Sequence, residues 1–455
     1  MTTMEQITAL CKRKGFIYPG SEIYGGFANS YTYGPYGVQM KNNLKQLWWK
    51  MFVEDRSDMV GIDGTILLHP QTWKASGHVD TFNDPMVDCK NCQARHRADH
   101  LAETKMEGNA DGMSLEALGA FIAEQGIKCP KCGKQDFTDV RQFNLMFETQ
   151  MAKTGEDSTA YLRPETAQAI FLEFKNVIDT TRVKVPFGIG QIGKAFRNEI
   201  TPGNFIFRVL EFEQMEIEYF VHESEWEMHF KNWVKAMYQW CEVIGLEKDK
   251  IHELDVEGDA LAHYSKKTID LEYEFPFGVK ELYGCAYRTN FDLTNHENAS
   301  GKKLRWRDPQ TNEEYIPHVI EPTFGVDRSV LAIISTAYEE ETLEGGEVRT
   351  VLHLKPVIAP VKVAVLPLTK KDGLPEKAER VLKLVQSFGN CEYDEGGNIG
   401  KRYRRQDEIG TPVCVTIDYD SLEDESVTVR DRDSMAQERV TIADLKTYLA
   451  DKYFA

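Results

Sequence analysis

The run Phe212-Glu-Gln-Met-Glu-Ile-Glu-Tyr-Phe220 alternates acidic and apolar residues at period two. That pattern suits a half-buried antiparallel strand rather than a helix. Upstream stands Phe196-Arg197-Asn198-Glu199, then ITPGNFIF, then Arg208-Val-Leu-Glu211-Phe212. The whole stretch reads as strand, Pro/Gly-containing loop, strand, with charged residues at both loop ends. Two antiparallel strands would set Arg197 and Arg208 where both guanidiniums could meet a polyphosphate bidentately, and Phe212 could stack on a base. Taken alone, the same residues describe a surface hairpin with ordinary salt bridges about equally well.

A second constraint lies in residues 83–140, which are polar and carry two CxxC pairs, Cys89-Lys-Asn-Cys92 and Cys129-Pro-Lys-Cys132. Four thiolates suit a tetrahedral Zn²⁺ that folds a segment with too little apolar core of its own. The site reads as structural, because four protein ligands leave no open position for water. His96 and His100, at i, i+4, form a competing ligand set. The helical segment SLEALGAFIAEQG separates the pairs, and the region reads as an insertion. The other five cysteines stand alone, which is not a secreted disulfide framework.

Around this insertion, VQMKNNLKQLWWKMFVE (38–54) reads as an amphipathic helix after a Gly/Tyr-rich stretch, and GIDGTILLHP as a short strand stopped by Pro70. Glu339 to Arg349 is acidic, Gly-containing and linker-like. Beyond it, VKVAVLPL, PEKAERVLKLVQSFG and PVCVTIDYD read as strand, helix and strand of a separate α/β domain from about Pro356. Glu321-Pro-Thr-Phe-Gly325-Val-Asp-Arg328 ends a strand, turns at Gly325 and opens an apolar helix; that N-terminus with Arg328 makes an anion site. With 455 residues, two or three domains are expected. The net charge of −18 argues against indiscriminate polyanion binding. No apolar run reaches membrane-spanning length and no signal peptide is evident, so a cytoplasmic chain is expected.

F-R-x-E, a loop, R-x-x-E-F, and a distant G-x-D-R opening an apolar helix resemble motifs 2 and 3 of class II aminoacyl-tRNA synthetases. The 38–54 helix and the strand before Pro70 resemble motif 1, the dimer-forming element. GGFANSYTYGPYG, HPQTWKASGHVDTF, RADH, FNLMF, YLRPETAQ, FRNEITPGNFIFRVLEFEQME, ELYGCAYRTNFDL, EPTFGVDR, GNIGKRYRRQDEIGTPVCVTIDYD and VTVRDRDSMAQERV are all similar to homodimeric glycyl-tRNA synthetases, essentially end to end. One departure is Leu210, where the family pattern commonly has Arg.

The resemblance implies an α+β catalytic domain with a mixed, mostly antiparallel sheet (1–82 and 141–345), a small zinc-binding insertion (83–140) and a C-terminal α/β anticodon-binding domain (356–455). The implied substrates are ATP, glycine and tRNA(Gly), with Mg²⁺ as cofactor and a homodimer formed through the motif 1 helix. Arg197 would bind the α-phosphate and the glycine carboxylate, with Arg328 and Glu199 completing the catalytic set. Asn198, Phe207, Arg208, Phe212, Glu281, Leu282 and Gly325 would join them around ATP, Glu281 carrying the Mg²⁺. Glu165, Glu216, Glu321 and Thr323 would surround the glycine ammonium, with Phe212, Gln214 and Arg97 nearby. Lys401, Arg402, Arg404 and Arg405, with Tyr403 among them, would contact tRNA. A non-catalytic relative, such as a polymerase accessory subunit, would be free to lose Arg197, Glu199, Arg208 and Arg328; all four are present.

Overall fold

A computed structural model describes residues 3–454 apart from 107–109, 111, 153–157, 202, 259–260 and 344. Its centre is a seven-stranded sheet: β1 (Met59–Gly61), β2 (Phe187–Phe196), β3 (Glu211–Val221), β4 (Ile251–Val256), β5 (Lys267–Phe275), β6 (Gly278–Thr289) and β7 (His318–Gly325). The spatial order is β4-β5-β6-β7-β3-β2-β1. Only β1 pairs parallel, with β2; every other pairing is antiparallel. β2 and β3 run in unbroken register from Phe187 opposite Phe220 to Phe196 opposite Glu211, so the loop 197–210 hangs from one end of the sheet.

The strand alternation works differently from the sequence-level expectation. β3 is buried on both faces from Glu213 onward, not half-buried. Met215, Ile217 and Tyr219 point into the main core with the helices Trp226–Val243 and Val326–Ala337. Phe212, Gln214, Glu216, Glu218 and Phe220 share the other face, because side chains two apart lie on one side of a strand. Phe220 closes that face against Phe174 of the helix Ala167–Thr180 and Phe187 of β2. Gln214 and Glu216 before it therefore line a cavity, and Glu218 lies deeper on the same face.

The 38–54 segment is a helix over Pro35–Trp49, continued by a wider turn through Glu54. Met40, Leu44 and Trp48 of its apolar stripe are buried in the main core. The strand before Pro70 shrinks to Leu67–Leu68, and Pro70 opens a helix instead, where its missing N–H costs nothing. The stretch 339–349 is not a linker. Tyr338–Thr342 and Val348–Leu352 pair as a hairpin, and the fully buried Arg349 bonds Asp407 at 2.9 Å and Glu341 at 2.7 Å. One member of the acidic run, Glu341, is counter-charge for a buried arginine together with Asp407.

In the insertion, Asn83–Asp88 pairs antiparallel with both Arg95–Arg97 and Arg141–Asn144, and the helix Leu115–Glu124 is capped by Ser114. The C-terminal region carries a five-stranded sheet, ordered 391–393, 363–367, 413–417, 426–431, 437–441, with its own core. Among the described residues, no helix is long and apolar enough to cross a membrane.

Candidate active site

A cavity of about 400 Å³ opens above the β3, β6 and β7 face. Its lining divides into two halves of opposite character. Arginines dominate the mouth, where Arg197, Arg208 and Arg328 converge; the floor is a set of buried glutamates, Glu165, Glu216 and Glu321.

At the mouth, Arg197 follows the last paired residue of β2. Its guanidinium lies 5.3 Å from the ring centres of both Phe82 and Phe212, and Nε donates to Pro164 O at 3.1 Å. This clamp fixes the direction of a charge that loop geometry alone would leave loose. Arg328, two residues into its helix, lies 4.4 Å over the Phe207 ring and donates from Nη1 to Glu281 O at 3.0 Å. It also pairs with Glu281 Oε1 at 3.1 Å, and its charge holds the Glu281 carboxyl below the usual range. Arg208 leaves a short 3₁₀ turn, Phe205–Phe207, and lines the same space. Leu210, the departure from the family pattern, bonds through its backbone to Arg197 N and Asn29 O, so it serves the loop rather than the cavity. Gly325 has φ −78° and ψ 118°, ordinary extended backbone, and an added Cβ would meet Arg328 at an ordinary 3.6 Å. The turn therefore does not require glycine.

At the floor, Glu216 accepts hydrogen bonds from Thr166 Oγ1, from Thr323 Oγ1 at 3.0 Å and from Gln214 Nε2 at 3.3 Å. Thr323 is its register partner on β7. Glu165 faces His78 Nε2 at 3.3 Å and accepts from Gln168 Nε2 at 3.0 Å. Arg288, at the end of β6, is fully buried; it bonds Asp292 through two nitrogens and Glu321 at 2.8 Å, over the Tyr264 ring at 3.7 Å. Burial pushes the Glu165 carboxyl up, but His78 and Arg288 opposite it carry it below the usual range. Burial, reinforced by the Glu165 charge, raises Glu216. Glu321 is pushed up to about 8 by burial, which the Arg288 charge only partly offsets. The floor is thus an anionic pocket short of positive charge, the condition a bound cation relieves.

Several expected residues stand elsewhere or do something else. Arg97 is not on the cavity wall: it pairs with Asp84 at 3.0 Å and with Asp99, inside the insertion. Glu199 lines the mouth, and Asn198 N bonds Leu145 O at 2.8 Å. Arg163, two residues before Glu165, donates to the carbonyls of Lys194 and Gly64 at 2.6 and 2.8 Å. Lys401 through Arg405 fall on a helix, Ile399–Asp407, and only part of it is free for a polyanion. Arg402 is buried, with its guanidinium spent on the carbonyls of Pro367, Leu368 and Gly397. Tyr403 is held by Thr416 at 2.6 Å with Arg430 over its ring, and Arg405 is paired with Asp394. Lys401 is the exposed cation, while Arg404 leans on Glu347 and Asp407.

Sequence reasoning missed His78, Gln168, Tyr264, Arg288, Asp292 and Glu218. Arg288 sits in ELYGCAYRTNFDL and His78 in HPQTWKASGHVDTF, both quoted for the resemblance. Only the three-dimensional pairing reveals them as partners of the floor glutamates.

The four cysteines converge: one sulfur from each of Cys89, Cys92, Cys129 and Cys132 lies within 4.8 Å of the rest. The Cys89–Cys132 and Cys92–Cys129 separations are 3.6 and 3.7 Å. Sulfurs 2.3 Å from a tetrahedral Zn²⁺ stand about 3.8 Å apart, so the cluster fits that ion. His96 Nε2 lies 3.3 Å from Cys129 Sγ, beside the cluster rather than replacing a member.

Comparison with known proteins agrees with this geometry. The model for the tRNA synthetase class II core domain (G, H, P, S and T) matches residues 128–337, and that for the anticodon binding domain matches residues 362–452. A glycyl-tRNA synthetase insertion domain 1 model matches residues 105–145. The chain is 54% identical to a glycine–tRNA ligase of Lachnospira eligens over 99% of both chains. It is equally similar to those of Ruminiclostridium cellulolyticum and Clostridium acetobutylicum, over 99% of this chain and 98% of theirs.

Proposed function

The chain belongs to the glycine–tRNA ligases, built on a class II synthetase core, and from that premise we infer how its own residues carry the reaction. It activates glycine with ATP and transfers the glycyl group to tRNA(Gly). A glycine carboxylate oxygen bonds to the α-phosphorus, the bond to the bridging oxygen breaks, and pyrophosphate leaves. The 3′-terminal hydroxyl of tRNA then attacks the carbonyl and AMP departs.

The observation that carries the residue assignment is the split cavity: fixed arginines at its mouth and an under-compensated carboxylate floor less than one cavity away. An ammonium suits the floor and a polyphosphate suits the mouth. Arg197, clamped between two aromatic rings, meets the α-phosphate and the attacking carboxylate, where charge develops in the transition state. Arg208 and Arg328 hold the far phosphates, and Phe212 offers adenine a face, with Phe207, Leu282 and Glu199 around the nucleotide. Glu165, Glu216 and Glu321 hold the glycine ammonium, with Thr323 and Gln214 orienting Glu216. No protein nucleophile is needed; positioning and electrostatics supply the rate.

Mg²⁺ fits Glu281: its side chain is about half exposed at the mouth and Arg328 keeps it ionised, the hard oxygen donor that ion takes. There the ion would neutralise phosphate charge. Zn²⁺ in the four-cysteine cluster would be structural. A homodimer is supported by Ile23, Tyr24 and Phe27, which stand exposed just before the motif 1 helix. For tRNA, Lys401 and Arg404 remain as contacts.

The test is ATP–pyrophosphate exchange. Glycine supports it, and Arg328→Ala reduces it below detection while leaving the melting curve intact. Exchange retained in Arg328→Ala counts decisively against the assignment.

A further inference from the structure

One carboxylate on the cavity side of β3 is used by neither the phosphate reading nor the ammonium reading. Glu218 follows Glu216 on the same strand face, one step deeper, and has no exposed surface. Neither of its carboxyl oxygens has a hydrogen-bond partner among the described residues. An oxygen from each of Glu216, Glu218 and Glu321 lies within 4.8 Å of the others. The charged groups that face it are Glu321 from β7, Arg288 from β6, Asp292 from the helix Phe291–Ser300, and Glu216 on its own strand. The Arg288 guanidinium is already committed to Asp292 and Glu321. A buried carboxylate without a donor, among like charges, is costly; a carboxylic acid in the same place brings its own donor.

We propose that Glu218 is a neutral carboxylic acid and a positioning residue for glycine, donating its O–H to Glu321 so that Glu321 remains charged and oriented toward the ammonium. Glu321 is the acceptor because Arg288 is its hydrogen-bond donor among the described residues, whereas Glu216 already accepts from three side chains. The broad terminal torsion of a glutamate lets the two carboxyls turn to meet. Burial and the Glu321 charge both drive the Glu218 carboxyl well above the usual range. Glu321 is raised too, so the pair titrates as a unit. The proton settles on Glu218, because Arg288 donates a hydrogen bond directly to Glu321 and reaches Glu218 only by its charge. This inference rests on the reading of Glu165, Glu216 and Glu321 as the ammonium site.

The experiment compares full-length wild type, E216Q, E218A and E218Q in pyrophosphate exchange, with infrared difference spectra of the protonated-carboxyl C=O stretch. E218A raises the glycine KM at least about tenfold, the scale of a lost hydrogen bond to a charged group, with the ATP KM within about twofold. E218Q, whose amide N–H replaces the O–H, restores most of that loss, and the spectrum loses one protonated-carboxyl band. E218Q as impaired as E218A, or no band lost in E218Q, overturns the proposal. If E216Q raises the glycine KM while E218A leaves it unchanged, the ammonium reading stands and this proposal fails. If E216Q leaves it unchanged, both fail.

Discussion

Glu216→Gln removes one charge from the cavity floor at almost constant shape. The residue is 1% exposed, so solvent screens little of the effect. Thr166, Thr323 and Gln214 hold its carboxylate by hydrogen bonds, and Thr323 and Thr166 can turn their hydroxyls to an amide without moving the backbone. What is lost is a charged hydrogen bond to the ammonium, about 1.5–3 kcal/mol. The Coulomb ceiling for unit charges about 4 Å apart at an effective dielectric of 20 is about 4 kcal/mol. Relief of repulsion with Glu165, which raises the Glu216 carboxyl in the wild type, offsets part of the loss. A rise of about ten- to fiftyfold in glycine KM follows, at the lower end of the hydrogen-bond range. The ATP KM, set at the arginine mouth, stays within about twofold. Pyrophosphate exchange with each substrate varied in turn measures both. Equal losses for glycine and ATP, or none for glycine, refute the assignment of the floor to the ammonium.

Stripping zinc with a chelator releases about one equivalent per chain by elemental analysis. Amide exchange then accelerates in residues 83–140 while the sheet 363–441 stays protected. The pH dependence of stability has a definite sign. The Glu218–Glu321 pair keeps one proton when folded, whereas a free glutamate titrates at about 4.3, so the native state binds more protons between that value and about 8. The pair's contribution to stability is full below the unfolded value and declines as pH rises toward about 8, at up to about 1.4 kcal/mol per unit. Glu165 acts in the opposite sense, losing stability as pH falls below the ordinary carboxylate range. Ligand-free enzyme therefore melts lower at pH 8 than at pH 6, and saturating glycine with ATP flattens the slope. A melting temperature that climbs from pH 6 to 8 contradicts the raised floor carboxyls.

Legibility of the sequence followed the range of the interactions. The Arg197–Glu199 and Arg208–Phe212 ends of the loop could be paired in advance because a hairpin is local and β2 and β3 run in register without a bulge. The paired CxxC units could be read because tetrahedral thiolate chemistry limits their partners. The burial of β3 was not legible. Its acidic residues look solvated until Lys41 and Lys45, from the 35–49 helix, and Thr166 supply the partners that make burial of Glu213 and Glu216 tolerable. The hairpin at 338–352 was mistaken for a linker for the same reason: Asp407, 58 residues from Arg349, stabilises its buried charge. The basic cluster at 401–405 misled in the other direction. On a helix, Arg402 turns inward to carbonyls, while Lys401 faces out. Charge in a sequence does not say whether its counter-ion is a ligand or a distant strand.

The most direct test of the divided cavity is a crystal structure with a non-hydrolysable glycyl-adenylate analogue. Its ammonium should lie within about 3 Å of carboxylate oxygens of Glu216 and Glu321, with the phosphate mimic on Arg197 and the adenine against Phe212. An ammonium turned toward Glu281 and Arg328, with the floor glutamates untouched, would contradict the account.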